Sequence, residues 1–167
     1  LKSLKDMPGI IVFPGFFGYS PEGGIVTFSR GGSDITGSIL AAAVDADLYE
    51  NFTDVDSVFV VDPNIVENPE PIRELTYKEM RELSYAGFGV FHEDALVPVY
   101  RKGIPVRILN TNNPDSTGTT IVPCRKNNGN PVVGIASDTG FTSIYVSKYL
   151  MNREVGFGRR LLQILED

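Results

Sequence analysis

An arginine, two glycines, a serine and an aspartate stand in a row at Arg30-Gly31-Gly32-Ser33-Asp34, just before the alanine- and leucine-rich stretch from Ile35 to Ala46. That order suits the holding of an anion. Glycines free backbone N–H groups at the start of a helix, where the helix dipole and the unpaired donors act on the same negative charge. Arg30 can grip a carboxylate bidentately and Ser33 can donate a further hydrogen bond. Asp34 can cap the helix, orient a catalytic lysine or help to hold magnesium. Taken alone, the same residues are equally those of a plain glycine turn with an N-cap.

Two other places carry polar chemistry. Thr53-Asp54-Val55-Asp56 puts a hydroxyl and two carboxylates just before the apolar run Val58 to Val61, and in open α/β sheets ligands bind at such strand-end turns. An Asx turn explains these residues as well. His92, the single histidine, is followed by Glu93 and Asp94. Without a set of partner ligands its expected role is structural.

The elements that position these residues follow from pattern. Ile10 to Phe13, between Pro8-Gly9 and Pro14-Gly15, reads as a buried strand. Phe17 to Ser29, broken by Pro21-Glu22-Gly23-Gly24, reads as a hairpin. Ile35 to Ala46 is expected to be helical and Val58 to Val61 to be a strand, with the three prolines of the Pro63 to Pro71 segment on a surface connection. Thr76 and Glu79 form a capping box for a helix that runs to Gly87. Asp94 to Lys102 reads as a helix stopped by Gly103, followed by strands at Ile104 to Leu109 and Thr119 to Val122. Strands and helices alternate, so the class is α/β. A polar linker spans residues 124–131; β character resumes at Val132 to Ser137 and Thr142 to Val146, and a last helix begins around Glu154 to Phe157.

Fifteen basic against twenty-one acidic residues give a net charge of −6, so there is no basic field to bind nucleic acid or an anionic membrane, and neither is an expected partner. Cys124 is the one cysteine among the 167 residues. It excludes an intrachain disulfide and a cysteine-based zinc cluster, and fits a reducing compartment, the cytoplasm by default. No run approaches the roughly 18 to 20 apolar residues of a membrane span. The start on Leu1 and the amphipathic ending Leu161 to Asp167 are expected to be cut ends.

Three runs taken together are more specific than any one of them. Phe28 to Asp34, Phe52 to Pro63 and Lys102 to Thr111 resemble, in order and spacing, the aspartate kinases of the amino-acid kinase family. Tyr85-Ala86-Gly87-Phe88 with His92, and Asn112-Asn113-Pro114 with Gly118-Thr119, fit as well. Val133 to Ala136 through Gly156-Phe157 looks like the first strand and helix of an ACT domain, the small ligand-sensing module of these enzymes.

The resemblance implies a three-layer α/β/α amino-acid kinase fold, of which residues 1–123 are the nucleotide-side half and 132–167 an incomplete ACT domain. It implies transfer of the γ-phosphoryl group of ATP, bound with Mg2+, to the side-chain carboxylate of L-aspartate, at the head of lysine, threonine and methionine synthesis. By position, Arg30 and Ser33 hold aspartate and Asp34 organises the catalytic centre. Thr53, Asp54, Phe59, Asn64, Gly89 and Val90 contact the nucleotide. Met151, Glu154, Gly156 and Phe157 fall where an effector such as lysine or threonine is read, and the parent enzyme is expected to be a homo-oligomer. The chain departs from the family's pattern at Phe59, where many members have tyrosine, at Asn64, where many have arginine, and at Gly89, where a nucleotide-binding lysine is usual. The family's Lys-Phe-Gly-Gly run is absent from the sequence, so the chain alone is expected to catalyse little or nothing. Two alternatives remain: a related amino-acid kinase with another acceptor, and a regulatory or oligomerisation subunit that binds an effector amino acid.

Overall fold

The apolar runs on either side of the capping box come together as a four-stranded sheet. The computed structural model describes residues 1–126, 129–137 and 139–166; residues 127 and 128 of the expected linker, and 138 and 167 of the expected ACT segment, lie outside the described residues. A hairpin of β1 (Phe17–Tyr19) and β2 (Ile25–Thr27) precedes α1 (Gly32–Val44). Then come β3 (Tyr49–Thr53), β4 (Glu74–Thr76), α2 (Tyr77–Tyr85), α3 (Leu96–Lys102), β5 (Val106–Asn110) and β6 (Thr119–Val122), with α4 (Phe157–Glu166) near the end. The sheet order is β3-β5-β6-β4. β3 runs parallel to β5 and β4 to β6, while β5 and β6 are antiparallel, so the sheet is mixed.

Register decides which face is buried. Asn51 lies opposite Ile108, Ile108 opposite Thr119, and Leu75 opposite Ile121. Tyr49, Asn51, Val106, Ile108, Thr119, Ile121 and Leu75 therefore share one face, because side chains alternate along a strand. Ala41 of α1, Met80 and Leu83 of α2, and Leu96 and Val99 of α3 close over that face to make the core. The other face carries Glu50, Phe52 and Arg107, and Phe52 is 60% exposed. It is the face on which the second helical layer of a three-layer α/β/α fold belongs.

α2 begins where the capping box places it. Thr76 N–H donates to Glu79 Oε2 at 2.8 Å, and Glu79 N–H donates back to Thr76 Oγ1 at 3.2 Å. Arg125 then clamps the same carboxylate through Nε and Nη2 at 2.9 and 2.8 Å, so the start of the expected linker is pinned to α2. α3 stops at Gly103, whose φ of 68° is the left-handed conformation glycine adopts without strain.

Several expectations are corrected. Ile10 to Phe13 forms no strand; Ile10 and Val12 are 98% and 91% exposed, since an apolar run becomes a strand only beside a hydrogen-bonding neighbour. Val58 to Val61 makes one isolated bridge, Phe59 to Pro71. Ile72 N–H donates to Val58 O at 2.8 Å and Val60 N–H to Glu70 O at 3.0 Å, but the Thr119 hydroxyl takes the place of the next bond, accepting from Val58 N–H at 2.9 Å and donating to Ile72 O at 2.6 Å, so the ladder stops there. β3, which contains Glu50 and Asn51, and the three-residue β4 do form strands, although their composition gave no strand signal. Val132 to Ser137 and Thr142 to Val146 are not strands among the described residues. The first of them is tied to the preceding part of the chain by Ile135 N–H donating to Val60 O at 2.7 Å, with Val133 and Ala136 against the core. The helix expected over Asp94 to Lys102 divides into a 3-10 turn at Glu93–Ala95 and α3.

Candidate active site

The glycine loop is folded tightly onto its neighbour. Gly31 is the N-cap of α1 at φ 64°, and a Cβ there would stand 2.5 Å from the ring and Cβ of His92. His92 is held in turn by its Nδ1, which accepts from Asp94 N–H at 3.3 Å. The histidine thus fixes the loop by packing, the structural role expected of it. Asp34 does not cap the helix: the cap is Gly31, and Asp34 sits in the first turn, where a negative charge favours the dipole.

Asp34 is instead held from β3. Asn51 Nδ2 donates to Asp34 Oδ1 at 3.0 Å and to Tyr49 Oη at 3.2 Å, and Tyr49 Oη donates to the Asp34 carbonyl at 3.2 Å. The phenol can approach α1 this closely because Gly37 has no side chain; a Cβ there would lie 2.5 Å from Tyr49 Oη. Burial pushes the Tyr49 pKa up, so the hydroxyl remains a donor.

Arg30, Gly31 and Asp34 line one side of a cavity of about 240 Å³, and Phe88, Gly89, His92 and Glu93 line the other. Gly89 faces Arg30 closely, with its Cβ position 3.7 Å from Arg30 Nη2. One guanidinium at a helix N-terminus, opposite glycine backbone, can receive a carboxylate or a phosphate.

The remaining candidates are spread along the carboxyl ends of β3 and β5. Thr53 ends β3 and its Oγ1 donates to Asp54 Oδ1 at 3.2 Å, while Thr111 N–H donates to Thr53 O at 2.8 Å. Asp56 Oδ1 accepts from Asn110 Nδ2 and Asn113 Nδ2 at 2.7 and 3.0 Å, which ties this turn to the loop after β5. Phe59 lines a second depression of about 330 Å³ with Asp56, Arg73, Asn113 and Ser116. Asn64 is exposed in an Asx turn on Asp62, and Ser33 is exposed in the first turn of α1. Neither lines these two cavities. Near α4, Glu154 accepts from Lys148 and Arg160, and Lys148 stands 5.7 Å over the Phe157 ring; those cations hold the Glu154 carboxyl below its usual range. Met151 and Gly156 flank this cluster on the turns before α4.

The sequence profile of the amino acid kinase family matches residues 1–110. The chain belongs to that family. It is 68% identical over all of its length to aspartokinase 3 of Bacillus subtilis, of which it spans 37%. It is 52% identical to the aspartate kinase of Clostridium acetobutylicum, whose crystal structure superposes with a TM-score of 0.77 over 92% of this chain and 35% of that one. E. coli aspartokinase III, solved with aspartate and ADP, is 34% identical at a TM-score of 0.65, covering 68% of this chain and 25% of its own. The chain thus spans between a quarter and little more than a third of these relatives' lengths.

Within this member of the amino acid kinase family, reading by residue type missed Tyr49 and Asn51. Both sit in a strand that composition does not announce, and Asn51 meets Asp34 across seventeen residues of chain. One usable signal was present. A polar amide one residue from an aromatic, in a segment leading into Thr53-Asp54, is a poor β-former that needs a buried partner.

Proposed function

We propose that this chain is the nucleotide-side part of an aspartate kinase. In this reading residues 1–123 belong to the catalytic domain, 124–131 form a linker and 132–167 open an effector-binding ACT domain. The whole enzyme would transfer the γ-phosphoryl group of ATP to the side-chain carboxylate of L-aspartate, giving 4-phospho-L-aspartate. The observation that carries the reading is the sharing of one cavity by the Arg30 guanidinium, the Asp34 carboxylate and the N-terminal turn of α1.

Both reactants are anions, so the protein must bring negative groups together and neutralise the charge that develops. Arg30 pairs with the substrate carboxylate, and the α1 dipole adds to that attraction. Asp34, held by Asn51, orients the cationic groups that meet the transferred phosphoryl. Thr53 and Asp54 meet the nucleotide at the end of β3, with the Gly89-Val90 turn offering backbone groups from the opposite side and Phe59 a ring to stack. Asn64 and Ser33 have subordinate parts, at the surface. Among the described residues no group of three or more His, Cys, Asp or Glu converges on a point. Magnesium would be carried by the nucleotide phosphates with one protein carboxylate, the usual arrangement for this ion. Asp34 would hold it, and bound magnesium would offset phosphate charge.

The relatives support the acceptor: E. coli aspartokinase III is solved with aspartate and ADP, and also with lysine and aspartate. An effector amino acid such as lysine or threonine would be read near Met151, Glu154, Gly156 and Phe157, in a homo-oligomer. Among the described residues no helix is long and apolar enough to cross a membrane, and with a single cysteine the cytoplasm is the expected compartment.

The test is a coupled assay on the full-length protein with ATP and aspartate. Arg30→Ala is expected to raise the KM for aspartate by about tenfold or more, the loss of a charged hydrogen-bonded pair, with the KM for ATP little changed. Turnover of glutamate in preference to aspartate, or none with either, would replace this reading.

A further inference from the structure

We infer that Asn51 is a positioning residue: its side-chain amide sets the direction in which the Asp34 carboxylate faces the Arg30 cavity. Its catalytic consequence rests on the aspartate kinase reading; its geometric content does not. Asn51 is a buried polar residue on the core face of β3, 8% exposed, and a buried amide has to satisfy its donors. Both amide hydrogens are used. One goes to Asp34 Oδ1 at 3.0 Å and the other to Tyr49 Oη at 3.2 Å, while Tyr49 Oη donates onward to the Asp34 carbonyl at 3.2 Å.

The three bonds close a ring that holds Asp34 by its carboxylate and its backbone together. The amide's orientation is fixed as well, because the reversed amide would aim a carbonyl oxygen at a carboxylate oxygen. Asp34 Oδ1 is thereby occupied from the sheet side, and Oδ2 has no hydrogen-bond partner among the described residues. Without Asn51 the carboxylate in the first turn of α1 could turn among its rotamers, and misplacement of about 1 Å in a phosphoryl-transfer site is enough to slow it many-fold. Leucine or isoleucine at position 51 would pack as well on this face of the sheet. The amide is needed only if Asp34 must be held.

Asn51→Leu removes the donors while keeping the number and branching of the side-chain heavy atoms. In the full-length protein it is expected to lower kcat about tenfold, with the KM for ATP unchanged; a merely structural residue would move stability without that split. Tyr49→Phe, which deletes one bond of the ring and is the milder change should Asn51→Leu fail to fold, is expected to lower kcat in the same direction. The crystal structure of either variant is expected to show the Asp34 carboxylate displaced or divided between rotamers. A wild-type kcat in both variants would overturn the inference while leaving the proposed function intact, and so would an unmoved Asp34 in both crystals. A wild-type protein without aspartate-dependent turnover would overturn the proposed function instead, and the crystallographic comparison would then decide the role of Asn51 alone.

Discussion

Gly31 and Gly103 have nearly the same backbone conformation, φ 64° and 68°, and very different surroundings. Nothing lies within 4 Å of a Cβ built on Gly103, whereas one built on Gly31 meets His92 at 2.5 Å. Gly103→Ala should therefore cost only the left-handed strain, about 1 kcal/mol. Gly31→Ala should cost that and the displacement of the histidine, about 3 kcal/mol in all. Denaturant unfolding checks both values. His92→Gly, which removes the Cβ as well as the ring, should recover much of the difference for Gly31→Ala and none for Gly103→Ala, the coupling that a double-mutant cycle measures between residues in contact. Equal costs for the two alanines would show that His92 does not hold the loop.

At the scale of elements, α2 joins a local signal to a distant one. Thr76 and Glu79 announce the helix start in the sequence, and nothing local announces that Arg125, forty-six residues on, grips the same carboxylate. The guanidinium beside Glu79 holds its pKa down at about 2, against an ordinary 4.5. A carboxyl whose folded pKa is depressed contributes stability that is fully present above its unfolded value and is lost as pH falls toward its folded value. Stability is therefore expected to drop between about pH 5 and pH 2 by about 1 to 2 kcal/mol through this group, after allowing for partial solvent screening. Urea midpoints at pH 5 and pH 3 test this: Arg125→Met should be less stable than the wild type at pH 5, with the difference narrowing at pH 3. A difference independent of pH would sink the assignment.

The same contrast explains what the sequence revealed. α2, the β1–β2 hairpin and the Gly103 stop rest on residues within a few positions of one another and were legible. β3 was not, because Glu50 and Asn51 are strand residues only by virtue of β5 beside them. Val58 to Val61 failed as a strand because the hydroxyl of Thr119, a residue of another segment, takes the Val58 N–H. In the site, the glycine loop was legible from spacing, and its support from Asn51 and Tyr49 was not, since those contacts exist only once β3 lies under α1.

For the molecule as a whole the deciding quantity is charge. Among the described residues, the cavity at the start of α1 has Arg30 as its one lysine or arginine, against the carboxylates of Asp34 and Glu93. In the proposed reaction ATP and aspartate would bring several further negative charges, and a site with a surplus of acid cannot neutralise them by itself. In the proposed reaction magnesium would supply part of the balance. The rest must come from further cations, and the family's Lys-Phe-Gly-Gly run does not occur in these 167 residues. The chain as it stands is therefore expected to form no aspartyl phosphate above background when trapped with hydroxylamine, whereas the full-length protein is expected to form it readily. Calorimetry with a magnesium complex of a non-hydrolysable ATP analogue separates binding from chemistry: weak binding that Asp54→Ala reduces would place the nucleotide contacts in this part and the missing cation outside it. Hydroxamate formation by the isolated chain at the full-length rate would mean that Arg30, magnesium and the α1 dipole are enough, and the charge argument would fall.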